Sequence, residues 1–321
     1  MSSDTTSPIA PRHPQGADYT LSELTLHVGP VLGGPPGAAA LAAPWLRRAR
    51  SLGVTTFDLS DAAFPSLAEE RFAEVFPEPD PALTIVLPVA SLAPPAGPEG
   101  RRSTVSPAST DLGQALRRSR ARLGPPRRLI VEWSSDGDQA SGRGSPPSAL
   151  RALRDAGELL DIAVRLSRSV ESIPPGAGLC SGPLSLLDSR LVRVVANSPS
   201  PETISMLARD VFAGGALDGS IWSGPRPGVG GVAPPPTVAQ LHERLDPVLA
   251  LAPLVLPRQR TLAQAALGFV LRWPWVASAV VPLPPPERFG AILESGRGPA
   301  LTEEEVAGVV SGARRPVGGD R

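Results

Sequence analysis

Three charged residues stand where short apolar runs end. Asp58 lies in the run 55–59 (TTFDL), Glu132 near the end of 128–133 (RLIVEW), and Arg165 near the end of 160–166 (LDIAVRL). Two carboxylates within about 6 Å of each other in a buried site repel, and one of them is pushed towards holding its proton, which makes an acid/base pair. Arg165 could pair with either carboxylate or clamp an anionic ligand through its fork of N–H groups. The same three residues also fit a mutually neutralised Asp–Arg–Glu cluster with no chemistry of its own. Phe64, Trp133, Phe212 and Trp222 are the aromatic residues that could line an apolar pocket above these charges, or simply pack.

What the chain lacks excludes as much as what it holds. There is no lysine, so all 31 basic residues are arginine; the one tyrosine is Tyr19 and the one asparagine Asn197. Schiff-base and pyridoxal-phosphate chemistry need a side-chain amine, which is absent. His13, His27 and His242 are far apart in sequence and suggest no metal site. His27 reads as a core histidine and His242 as a surface one. Cys180 is alone, so no internal disulfide or cysteine zinc site can form, and it reads as a small core residue. Acidic residues also total 31, so no net charge draws the chain to nucleic acid or an anionic membrane. No apolar run reaches the roughly 18 residues that span a bilayer. The first residues resemble no secretory signal, and a cytoplasmic protein is expected.

The elements that must position the charged residues follow an alternation of strand and helix patterns, the signature of βα units around a parallel sheet. Strands are expected at 22–28, 55–59, 83–89, 128–133, 160–166, 179–186, 203–208 and 277–282. Helices are expected at 44–52, opening on Pro44 and closing at Gly53, and at 67–76, capped by Ser66 and Glu69. Leu112, Leu116 and Leu123 stripe one face of 111–123, and Thr261 with Gln264 caps 262–272. Thr302 and Glu305 cap a last helix near 303–311, while the fifth and sixth helices look short. Eight strands so connected predict one closed (β/α)8 barrel over 21–312, with tails at 1–20 and 313–321. Helix-to-strand connections are tight, whereas the strand-to-helix loops 90–109, 134–147 and 218–236 are long and rich in Pro, Gly and Ser. In such barrels these loops form the face that carries function.

The segment 46–76, LRRARSLGVTTFDLSDAAFPSLAEERFAEVF, resembles the signature of the aldo-keto reductases. ALRRSRARLGPPRRLIVEW, ARDVFAGGALDG (208–219) and TLAQAALGFVLRWPWVASAVVP resemble further segments of that family in the same order, over about residues 22–311. The resemblance implies a (β/α)8 fold and an active site of Asp, Tyr, Lys and His, in which a lysine-tuned tyrosine protonates the carbonyl. Carried across, only the aspartate remains, as Asp58. The tyrosine position reads Ala63–Phe64, the lysine position Leu87–Pro88, and the histidine position Glu132 before Trp133.

The cofactor positions implied by the resemblance are eroded too. The Ser-Asn that holds the nicotinamide corresponds to Arg165–Leu166, and the Pro-Gly turn after strand eight to Pro282-Leu283-Pro284-Pro285, whose prolines remove backbone donors for phosphate. Arg209, Gly214, Gly215 and Arg288 are what remains to hold NADP. The reading is therefore a small-molecule-binding relative of these reductases, or one re-purposed for acid/base chemistry on Asp58, Glu132 and Arg165, set in a biosynthetic pathway. The alternative is an NADP(H)-dependent oxidoreductase with a non-standard site. With no lysine available, Asp58 is expected to be protonated or paired with an arginine, Arg165 being the nearest by strand order.

Overall fold

The computed structural model describes residues 9–35, 37–92, 112–124, 127–134, 146–220, 245–255, 259–284, 288–294, 296 and 298–312. A short antiparallel hairpin, β1 (Pro11–Arg12) with β2 (Leu21–Ser22), precedes eight parallel strands. These are β3 (Leu24–His27), β4 (Thr56–Asp58), β5 (Thr84–Pro88), β6 (Arg128–Trp133), β7 (Asp161–Arg165), β8 (Leu179–Pro183), β9 (Ser205–Arg209) and β10 (Val276–Pro282). β10 pairs with both β9 and β3, so the sheet closes into a (β/α)8 barrel.

Alternation along each strand divides the apolar residues into two layers. On β6, Leu129, Val131 and Trp133 join the large apolar cluster shared with the helices, whereas Ile130 joins a smaller one with Val86, Ala163, Leu179, Leu207 and Val280. The smaller cluster fills the lower barrel interior. By the same alternation Asp58, Glu132, Arg165 and Arg209 face inward at the C-terminal strand ends.

The hairpin is the main departure from the expected layout. Residues 9–20, expected in a tail, instead cover the N-terminal end of the barrel, because Tyr19 and Leu21 supply the apolar plug that the inner cluster lacks there. The Ile9 N–H donates to Leu52 O at 2.6 Å, and a Cβ on Gly53 would stand 2.8 Å from Ile9 O. Gly53, at φ +100°, thus permits both the turn and the close approach of the hairpin.

Other differences are local. Helix α1 (Gly29–Leu32) is a single turn, and α2 runs Ala38–Ser51 with Pro44 inside it, because the alanine run before Pro44 extends the helix upstream. Helix α3 (Pro65–Val75) opens on Pro65 without a side-chain cap. Glu69 is buried against α4 (Leu112–Leu123), accepting from Ser119 Oγ at 2.8 Å and Arg122 Nε at 2.5 Å. Helix α5 spans Ser148–Asp155, but β7 runs to β8 without a helix, and α6 (Arg190–Ala196) has only 7 residues. The Thr261–Gln264 capping box on helix Leu262–Leu271 is formed, as is the Thr302–Glu305 pair on helix Glu303–Gly312. Among the described residues no helix is long and apolar enough to cross a membrane.

Candidate functional site

Four strands bring one polar cluster to the C-terminal mouth. Asp58 ends β4, Glu132 is the penultimate residue of β6, and Arg165 and Arg209 end β7 and β9. Arg209 bridges the two carboxylates: its Nε donates to Glu132 Oε1 at 2.8 Å and its Nη1 to Asp58 Oδ2 at 2.7 Å. Arg165 Nη1 donates to Glu132 Oε2 at 2.9 Å, and Ser181 Oγ also donates to Glu132 Oε1. Asp58 receives two further bonds from the turn that follows it, from Ser60 N at 2.8 Å and Ser60 Oγ at 3.0 Å.

This corrects one expectation. The partner of Asp58 is Arg209 and not Arg165, and Arg209, expected among cofactor ligands, bridges the two carboxylates. Barrel closure is the reason. Counted round the ring, β9 is three strands from β4 and three from β6, so a long inward side chain at its end reaches both carboxylates. Arg165, on the strand next to β6, reaches Glu132 alone among the described residues. The signal in the sequence was the alternation Ser205–Leu207–Arg209, which aims Arg209 inward; only ring closure shows what lies opposite.

Electrostatics follow from this geometry. Asp58 is fully buried, and burial alone raises a carboxyl pKa; the charges of Arg209 and His27 and the bonds from Arg209 and Ser60 outweigh it and hold Asp58 below the usual carboxylate range. The expected proton retention through carboxylate repulsion is therefore replaced by a pair bridged by a cation. Burial lowers the Arg209 pKa, but Asp58 and Glu132 more than reverse this, so the guanidinium stays charged. One of its donors, Nη2, is buried and has no hydrogen-bond partner among the described residues.

Around this cluster the turns are tied down by ion pairs. Asp210, in the left-handed region at φ +54°, accepts from Gly214 N at 2.7 Å and from Arg168, which also reaches Asp188. His27 Nε2 lies 2.9 Å from Ser60 O and 3.6 Å from Asp61 Oδ2.

The remaining expected site residues do not gather there. Trp133 belongs to the apolar layer outside the barrel, its indole nitrogen buried and without a partner among the described residues, and Phe212 is buried in the same layer. Of the two readings open for them, pocket lining or packing, the structure places both in packing; strand parity turns Trp133, the residue after Glu132, away from the mouth. Phe64 is half-buried at the start of α3, and Trp222 lies outside the described residues. Gly214 and Gly215 form a tight turn at φ +68° and +96°, and Arg288 Nη1 donates to Asp218 O at 2.9 Å. Tyr19 is at the opposite end of the barrel, its hydroxyl donating to Asp161 Oδ2 at 2.7 Å. A cavity of about 430 Å³ opens beside it, lined by Gln15, Arg151 and Ser205, remote from the charged cluster.

Solved structures share this architecture over almost the whole chain. The aldo-keto reductase AKR11C1 of Bacillus halodurans, in its holo form, superposes with a TM-score of 0.66 at 17% identity, covering 94% of this chain and 96% of that one. The chain has the barrel fold of the aldo-keto reductases. The glycerol dehydrogenase AKR11B4 of Gluconobacter oxydans gives a TM-score of 0.68 at 15% identity, with 94% of each chain covered. No protein-family model and no curated protein matches the sequence. Of the residues in the Asp58–Arg209–Glu132 bridge, Asp58 and Glu132 stand at the positions where the resemblance implies an aspartate and a histidine.

Proposed function

We propose that this barrel binds a small molecule at its C-terminal mouth and does not reduce carbonyls by the lysine-tuned phenol chemistry that the resemblance implies. One observation carries the reading: the only tyrosine is bonded to Asp161 at the N-terminal end of the barrel, away from the charged cluster. A proton donor must come within hydrogen-bond reach of the carbonyl oxygen it serves, and this phenol is at the wrong end.

The acid/base alternative on Asp58 and Glu132 loses support from the same geometry. Each carboxylate is held by at least one arginine and a serine, and Asp58 is kept ionised below the range in which it could exchange protons at neutral pH. What remains is a preorganised polar floor suited to recognition. A cytoplasmic location and a biosynthetic setting are part of this proposal.

The test is a fluorescence titration with NADPH followed by turnover on a panel of aldehydes and ketones. Turnover at background, with ligand-induced changes confined to the C-terminal mouth in a fragment screen, is the expected outcome. Robust NADPH oxidation, abolished in Asp58→Ala or Glu132→Ala, would instead establish the NADP(H)-linked oxidoreductase, with the Gly214–Gly215 turn and Arg288 left to hold the cofactor.

A further inference from the structure

We infer that the ligand of this mouth carries an oxyanion, a carboxylate or a phosphate, received by Arg165 and Arg209. The inference rests on the binding reading above and names the chemistry of what binds. Arg209 has three nitrogens, of which Nε and Nη1 are spent on Glu132 and Asp58, while Nη2 is buried with no acceptor among the described residues. A buried charged donor without an acceptor is unfavourable, so the folded molecule gains when an oxygen is brought to it.

Arg165 supplies the second half. Only its Nη1 is engaged among the described residues, by Glu132, and its side chain is 38% exposed where that of Glu132 is 2% exposed. Glu132 is therefore covered, and the Arg165 guanidinium stands outward of it, with Arg209 buried between the two carboxylates. Arg168 and Arg190, with side chains 60% and 49% exposed, extend the same arrangement over Asp188, at 11%. An approaching ligand meets the N–H groups of Arg165 first, whose fork geometry matches the paired oxygens of a carboxylate or phosphate, and the Arg209 Nη2 lies buried behind them. The charges of the inner four residues cancel, two carboxylates against two guanidinium groups, so the preference comes from which of them face outward.

Three probes separate the outcomes: malonate, its uncharged twin malonamide, and inorganic phosphate, each titrated into the full chain at constant ionic strength. The readout is the arginine side-chain Nε–H resonances, assigned by substitution. Malonate or phosphate should shift the Arg165 and Arg209 signals saturably, and malonamide should not. Arg165→Gln should weaken that binding at least tenfold with the melting temperature nearly unchanged, and Arg151→Ala, on α5 near the N-terminal cavity, should leave it intact. If malonamide binds as well as malonate, or if Arg165→Gln leaves affinity unchanged, the oxyanion assignment is overturned and the binding reading survives. If none of the three moves these signals, the assignment is likewise overturned; the binding reading then falls only if uncharged fragments also leave the mouth unperturbed.

Discussion

At the scale of single residues, Arg209 is bonded to two buried carboxylates at once. Removing one partner from a buried ion pair leaves an uncompensated charge and typically costs about 3–5 kcal/mol. Arg209→Ala leaves Asp58 without an arginine and Glu132 with Arg165 and Ser181 alone, and is expected to fall within that range; Arg209→Lys, which can meet only one carboxylate well, should cost less. Arg165→Ala should cost about 1 kcal/mol or less, since its head is 38% exposed and Glu132 keeps Arg209 and Ser181. Chemical denaturation of the three variants gives the order. The pH dependence has a definite sign. The Asp58 pKa is lowered in the fold to about 2 from its ordinary value of 3.8, so its contribution is present above the unfolded value and lost as pH falls towards the folded one. Melting temperature should therefore drop steeply between about pH 4 and 2 through this group, and Asp58→Asn should flatten that acid limb while lowering stability at neutral pH.

At the scale of elements, the N-terminal hairpin does what no strand of the barrel can do for itself. It seats Tyr19 and Leu21 on the inner apolar cluster and links Tyr19 to Asp161 on β7. Burial, followed by the charge and hydrogen bond of Asp161, pushes the Tyr19 hydroxyl well above its ordinary pKa. With a single tyrosine the consequence is easily read. Absorbance at alkaline pH should show no phenolate until the protein unfolds, and the two transitions should coincide. A phenolate appearing at ordinary tyrosine pH in the folded protein would mean that the hairpin does not cover the barrel end. Tyr19→Phe removes one buried hydrogen bond to a charged group and should cost about 1.5–3 kcal/mol by thermal or chemical denaturation.

At the scale of the whole molecule, a barrel fold is compatible with many functions, and the residues at its mouth decide among them. The fold shared with AKR11C1 and AKR11B4 extends over 94% of this chain, while the mouth holds an arginine bridged between two carboxylates. The matching expectation is a stable barrel that consumes no NADPH with simple aldehydes or ketones, and steady-state absorbance at saturating cofactor checks it.

The eight strands, the charged residues at their ends and the absence of lysine were legible in the residues alone, because apolar runs and composition are local properties. Those charged residues are Asp58, Glu132 and Arg165. Tertiary structure decided which of them meet. The pairing of Asp58 with Arg209 depends on closure of the ring, which makes residues 151 positions apart neighbours across the barrel axis. The placement of Tyr19 was hidden for a related reason: two-residue strands carry no periodicity to read, and the hairpin is held by the barrel end it covers.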